Sequence, residues 1–198
     1  MKNIYKLLLC LLAAIGSSVV SAAYPERSIR LVVPFATGGT SEIVARSVAS
    51  MLTTSLGQSV YVDNKPGGAG NIAMEEVKRA SPDGYTLMLG HVGTLAVNPA
   101  LFGKKLPYDP NKDFAPVTLV AKVPNVIAVS ERSQYKTLGD LVADAKKNPG
   151  KINYGSAGNG SAGHLAMEYF CSEAGIDLVH VPYKGSGPML TDLIGGQI

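Results

Sequence analysis

Residues 29–46, IRLVVPFATGGTSEIVAR, decide how this chain is read. Ile29, Leu31, Val32 and Val33 form a nearly unbroken apolar run, the pattern of a parallel strand buried on both faces. Pro34 ends the run, and Gly38 and Gly39 sit in the short loop that follows. Val44, Val48, Met51 and Leu52 then recur at i, i+4, i+7 and i+8, which predicts an amphipathic helix started by Thr40 or Ser41. A strand, a glycine turn and a helix start bring unpaired N–H groups and the positive end of the helix dipole to one point, which suits an anion. The same parts also make an ordinary βα turn that binds nothing. Function therefore has to be argued from the rest of the chain.

Upstream, Lys2 and Lys6 precede a short apolar core, Leu7 to Ile15, and Ser21-Ala22-Ala23 offers small residues for cleavage. Residues 1–23 read as a secretory signal peptide, and the core is too short for a membrane span. The expected location is the periplasm. Cys10 falls inside this segment, leaving Cys171 as a small core residue with no partner for a disulfide. With 18 basic and 15 acidic residues and no basic stripe, nucleic acid is not an expected partner.

Downstream, strands alternate with helices. Val60 to Val62 reads as a strand, Asn64 to Gly70 as a glycine-rich connection, Asn71 to Ala80 as a helix and Tyr85 to Leu89 as a strand. Pro99, Pro107, Pro110, Pro116 and Pro124 then break the pattern. We take residues 24–98 as lobe one, 99–124 as a Pro-rich crossing and 125–198 as lobe two. In lobe two, Val126 to Ser130 reads as a strand and Thr137 to Asn148 as a helix, where Thr137 and Asp140 have capping-box spacing. Ile152 to Gly155, Ala162 to Ala174, Leu178 to Val181 and Met189 to Ile194 read as strand, helix, strand and helix. Gln197-Ile198 has the look of a strand beginning. This alternation is that of an α/β protein with mostly parallel sheets.

The segments VPFATGGTSEIVAR, VDNKPGGAGNIAMEEV, SPDGYTLMLG, LPYDPNKDFAPVTLVA, NPGKINYGSAGNGSAGHLAMEYF and VHVPYKGSGPMLTDLIGGQ resemble those of the periplasmic solute receptors of tripartite tricarboxylate transporters. The likeness runs from Tyr24 to Ile198 with the segments in the family's order. It implies a two-lobed, type II periplasmic-binding-protein fold, each lobe a mostly parallel sheet flanked by helices. Its implied partners are a small organic carboxylate and the membrane permease subunits to which that ligand is delivered. Glu42 stands where the family usually has Asp. Family members also continue for roughly another hundred residues, on the scale of a domain. The resemblance thus implies that this chain lacks the return that completes lobe one.

Ligands of open α/β sheets bind beyond the carboxyl ends of the strands. That places Phe35, Ala36, Gly38, Gly39, Thr40, Ser41 and Glu42 in the first candidate loop, and His91 and Thr94 in the second. Lobe two contributes Ser156, Asn159, Gly160, Ser161 and His164, with Tyr183 and Lys184 in the last loop. A carboxylate between the lobes would meet amides at Gly38 to Ser41 and at Asn159 to Ala162, with Ser156, Ser161 and Thr94 as hydroxyl donors. Glu42 reads either as an i,i+4 partner of Arg46 or as a selector of ligands carrying an amino group. His180 follows the pattern of a structural residue, and no metal or cofactor is expected.

The competing classes are a secreted α/β hydrolase and a ligand-sensing module. A hydrolase elbow needs G-x-S-x-G, but Asn159 stands two residues before Ser161 and Tyr154 two before Ser156. A phosphate-binding P-loop needs Lys where Thr40 follows Gly39. A receptor rather than an enzyme is the expected class.

Overall fold

The structure is a computed structural model, and it describes residues 23–198. The signal-peptide expectation for residues 1–23 lies almost wholly outside the described residues. Two parallel sheets organise the chain. The first has strand order β2-β1-β3, with β1 Ile29–Val33 central, β2 Val60–Asn64 and β3 Thr86–Met88. Both neighbours pair with β1 in parallel, Leu31 lying opposite Val62 on one side and Leu87 on the other. The central position explains the unbroken apolar run, since β1 has helices against both faces and Val32 and Val33 are fully buried.

Helix α1, Thr40–Leu56, covers one face. Its buried residues are Glu42, Ala45 and Ala49; the two alanines pack with Ile29, Leu31, Val33 and Val60, while Leu52 and Leu56 join at the edge. This corrects the face drawn from Val44, Val48, Met51 and Leu52, because Met51 is exposed and Val44 and Val48 are only half-buried. Small residues win the core side because the helix lies close to the sheet, where alanine lets the backbones approach. Gly57 ends α1 in the left-handed conformation, its N–H donating to the Thr53 carbonyl at 3.1 Å. Helix α2, Asn71–Lys78, packs on the other side through the fully buried Ala73 and Met74. Burying side chains such as Leu31 and Met74 contributes about 1.5–3 kcal/mol each. The Arg30 guanidinium bonds the Asp63 carboxylate, with Nε 2.8 Å from Oδ2, and also reaches Glu76, tying β1, β2 and α2 together.

After β3 the chain makes a turn at Gly93–Val97 and a short helix α3, Asn98–Phe102. Helix α4, Leu138–Lys147, opens with the expected capping box: Asp140 N–H donates to the Thr137 hydroxyl, and the Asp140 carboxylate accepts from the Thr137 N–H. The second sheet consists of β4 Asn153–Ser156 and β5 Val179–Pro182, with Tyr154 opposite His180 and Ser156 opposite Pro182. Helices α5 Ala162–Ala174 and α6 Ser186–Gly195 accompany it.

Two strand expectations are corrected. Val126 to Ser130 joins no ladder, and Val126 is 83% exposed. A strand exists by pairing, and no described segment offers that stretch an edge. Gln197-Ile198 is likewise not a strand, and the Ile198 side chain folds back toward Gly155.

Candidate functional site

Four loops leave the carboxyl ends of parallel strands: residues 34–39 after β1, 89–92 after β3, 157–161 after β4 and 183–185 after β5. The first two come from one sheet and the last two from the other. The first three contribute residues to the wall of a cavity of about 1560 Å³, and Ser186 and Met189 line it just beyond the fourth. Phe35, Gly39, Thr40, Ser41, His91, Ser156 and Ser161 line it, together with Ala157, Ala162 and Ser186. Ligand sites are usually smaller, near 300–1,000 Å³. Here residues between Pro110 and Ile127 also line the cavity.

The first loop is tied down from within. The Gly38 N–H donates to Glu42 Oε2 at 2.5 Å, and the Arg46 side chain reaches the other carboxylate oxygen at 2.6 Å. These contacts, the Gly38 N–H foremost, hold the Glu42 carboxyl below its ordinary pKa. Glu42 thus stays ionised and engaged, buried beneath the loop. Gly38 takes φ +83, a conformation that favours glycine, whereas Gly39 is extended at φ −102. The N-cap of α1 is Gly39, with no side-chain cap. Among the described residues, no acceptor meets the Thr40 and Ser41 amides at this helix start. Both residues line the cavity at the positive end of the helix dipole.

The second loop of that sheet presents His91, whose ring packs edge-on against Phe35 at 5.1 Å. Its Nδ1 accepts the Gly93 N–H at 3.0 Å, and burial lowers its pKa, so a neutral ring carries its hydrogen on Nε2. Thr94 is fully buried; its hydroxyl donates to the His91 carbonyl and accepts from the His91 N–H. Thr94 therefore shapes the loop from behind.

The loop after β4 closes its own polar groups. Ser161 caps α5, accepting from the His164 N–H at 3.3 Å, and the Gly160 N–H donates to His164 Nδ1 at 3.1 Å. The Gly158 N–H is 3.1 Å from the Ser156 hydroxyl. Asn159 is not among the cavity-lining residues and is exposed. Tyr183 turns its hydroxyl to Asp192 at 2.7 Å, and Lys184 is exposed.

The sheets are joined by a glycine seam. The Ala36 N–H donates to the Lys184 carbonyl at 2.8 Å. Gly187 lies so close to the first loop that a Cβ there would stand 2.0 Å from the Thr37 carbonyl oxygen. Gly93 meets the Gly160 carbonyl in the same way, where a Cβ would come within 2.9 Å. Ser186 ends the candidate loop Tyr183 to Ser186 read from the sequence, whereas Gly187, the next residue, lies outside it.

Ser156 Oγ lies 2.7 Å from His180 Nε2, the spacing of a nucleophile and its base. His180, however, is stacked between Tyr154 at 4.9 Å and His164 at 4.0 Å. Among the described residues no carboxylate reaches its other nitrogen, as Glu168 bonds the Tyr154 hydroxyl at 2.5 Å. The hydrolase alternative gains nothing from this geometry.

Two parallel sheets thus bring residues of their carboxyl-end loops to one shared cavity. The chain belongs to the tripartite tricarboxylate transporter family of receptors, whose model matches residues 44–198. A protein of Agrobacterium vitis from the TAR-I ttuE-ttuC' intergenic region is 42% identical over 176 residues, 89% of this chain and 50% of its own length. BugT of Bordetella pertussis is 37% identical, covering 94% of this chain and 57% of that protein. Among solved structures, a protein of R. palustris with adipate matches with TM-score 0.85 and 41% identity, over 88% of this chain and 58% of the other. The periplasmic binding protein BugD gives 0.82 and 39%, over 88% and 58%. MatC from Rhodopseudomonas palustris with bound malate gives 0.81 and 35%, over 88% and 59%. The fold is that of these periplasmic binding proteins, and the chain spans about half the length of the curated relatives it matches.

Proposed function

We propose that this chain is the ligand-gripping part of a periplasmic receptor that captures a small carboxylate between two lobes and hands it to a tripartite tricarboxylate-type permease. One observation carries the reading. The Thr40 and Ser41 amides, unpartnered among the described residues, stand at the N-terminus of α1, and both residues line a cavity that Ser156 and Ser161 also line. Each hydrogen bond to a charged group is worth about 1.5–3 kcal/mol. The helix end adds about 0.3–1 kcal/mol, up to ~2 when partly buried. Two amides, the helix end and one hydroxyl thus approach the roughly 8 kcal/mol of a micromolar complex without an arginine clamp.

The relatives' adipate and malate support a dicarboxylate as the first ligand to try. In this reading residues 24–98 and 125–198 are the two lobes and 99–124 the crossing. The protein works in the periplasm and has no catalytic role. A thermal-shift screen against malate, adipate and other organic acids tests it. The expected result is a rise in melting temperature with at least one dicarboxylate, because binding to the native state adds stability by mass action. No shift with any acid, or hydrolysis of model esters lost on replacing Ser161, would overturn it.

A further inference from the structure

We propose that His180 is a positioning residue for the bound carboxylate, acting through the hydroxyl of Ser156. The inference rests on the receptor reading and names a residue that reading leaves unused. Ser156 is 2% exposed, lines the cavity, and has one hydrogen to donate. Three protein groups surround its Oγ: His180 Nε2 at 2.7 Å, the Gly158 carbonyl at 3.1 Å and the Gly158 N–H at 3.1 Å. When His180 Nε2 is bare, it takes the hydroxyl hydrogen, and Ser156 offers an anion nothing but lone pairs. When Nε2 carries a hydrogen, it donates to Ser156 Oγ instead. The hydroxyl hydrogen is then free to turn from the Gly158 carbonyl to a ligand carboxylate. An anion at Ser156 therefore selects a ring with hydrogen on Nε2, and selects the cation over the neutral tautomer because the added charge attracts the anion as well.

The surroundings set up this proton count. Tyr154 of the same sheet stacks on one side of His180 and His164 of α5 on the other; Glu168, also of α5, bonds the Tyr154 hydroxyl and lies 3.8 Å from His164 Nε2. Cys171, buried on the same helix, acts on Tyr154. Burial, then His164, depress the His180 pKa below its ordinary value against an opposing pull from Glu168, which favours the neutral His180 ring before an anion arrives. An arriving anion raises that pKa, and binding takes up a proton. Affinity then increases as pH falls, by at most about tenfold per pH unit for one proton.

Titration calorimetry of malate and adipate on the full chain, in buffers of different ionisation enthalpy between about pH 6 and pH 8, reads this directly, because the probes' own carboxylates titrate lower. The expected result is uptake of up to one proton and affinity that strengthens toward pH 6. His180→Gln keeps an amide beside Ser156 but cannot titrate, so its uptake should vanish and its affinity become flat with pH. Ser156→Ala should weaken binding and flatten the same profile. Melting curves establish that each variant is folded, and the wild-type proton count decides the matter even if neither is. Wild-type binding without proton uptake, or unchanged uptake in both folded variants, overturns the proposal. Absence of binding with malate, adipate and every other acid of the thermal-shift screen overturns the receptor reading itself, and this inference with it.

Discussion

Two glycine-rich loops that look alike in sequence do opposite things in space. Residues 34–39 and 157–161 each lead from a parallel strand into a helix, and each carries two or more glycines and small hydroxyl residues. At the first, the helix starts on Gly39 with no side-chain cap, and an internal carboxylate, Glu42, is spent on Gly38 while Thr40 and Ser41 line the cavity. At the second, Ser161 caps the helix and His164 takes the Gly160 amide, so the loop has little backbone left to offer. The first loop is a backbone site and the second a side-chain site. Their division of labour follows from one residue, the presence or absence of a hydroxyl at the N-cap.

The sharpest way to break this comparison is at the seam that holds the two loops together. Gly187→Val would drive its side chain into the Thr37 carbonyl and the Gly38 backbone, which cannot move aside without parting the loops. Overpacking of this kind costs about 1–3 kcal/mol. Calorimetry should show at least a hundredfold loss of dicarboxylate affinity, with a lowered melting temperature.

Gly39→Val is next. The backbone there is extended, so no torsional strain arises, but its Cβ would stand 3.3 Å from Ser186 and the branched side chain would cover the Thr40 and Ser41 amides. Affinity should fall more than tenfold while the melting temperature changes little. If Gly39→Val binds normally, the first loop is not a backbone site.

Glu42→Gln tests the tie beneath the loop. The folded pKa of Glu42 is depressed by Gly38 and Arg46, so its stabilisation is present above its unfolded value near 4.5 and is lost as pH falls through the lower folded value. The variant should be destabilised by about 1.5–3 kcal/mol at pH 7, the worth of a charge-assisted bond. The gap from wild type should close in denaturant melts as the pH drops below about 4.

The smallest effect belongs to Lys184→Ala. The side chain is exposed, and the group that matters, its carbonyl on the Ala36 N–H, survives the substitution. Stability should stay within about 0.5 kcal/mol, with affinity nearly unchanged. Abolished binding would instead place a side-chain cation at the heart of the site.

Periodicity and punctuation carried most of the fold. The apolar run of β1, the Thr137–Asp140 capping box and the glycine-terminated helices are local: each depends on residues within one turn or one strand of each other, so their physics is written in adjacent letters. The family resemblance, spread over six segments, fixed the α/β class and the receptor reading. The buried face of α1 was not legible, because Ala45 and Ala49 face the sheet for reasons of helix-to-sheet distance that hydrophobicity does not encode. Nor was the failure of Val126 to Ser130 to form a strand, since pairing depends on an edge supplied from elsewhere in the chain.

The site divides along the same line. The sequence by itself determined which loops follow strands and which residue types fill them, because a βα unit always presents its loop at the strand's carboxyl end. Only the tertiary structure decided which groups remain free to bind. Glu42 consumes the Gly38 amide, Lys184 the Ala36 amide and His164 the Gly160 amide. His180 and Ser156, 24 positions apart, meet because β4 and β5 are parallel neighbours. Hydrogen-bond capacity is a local property of each residue, but its satisfaction is settled by whatever the fold brings within 3 Å.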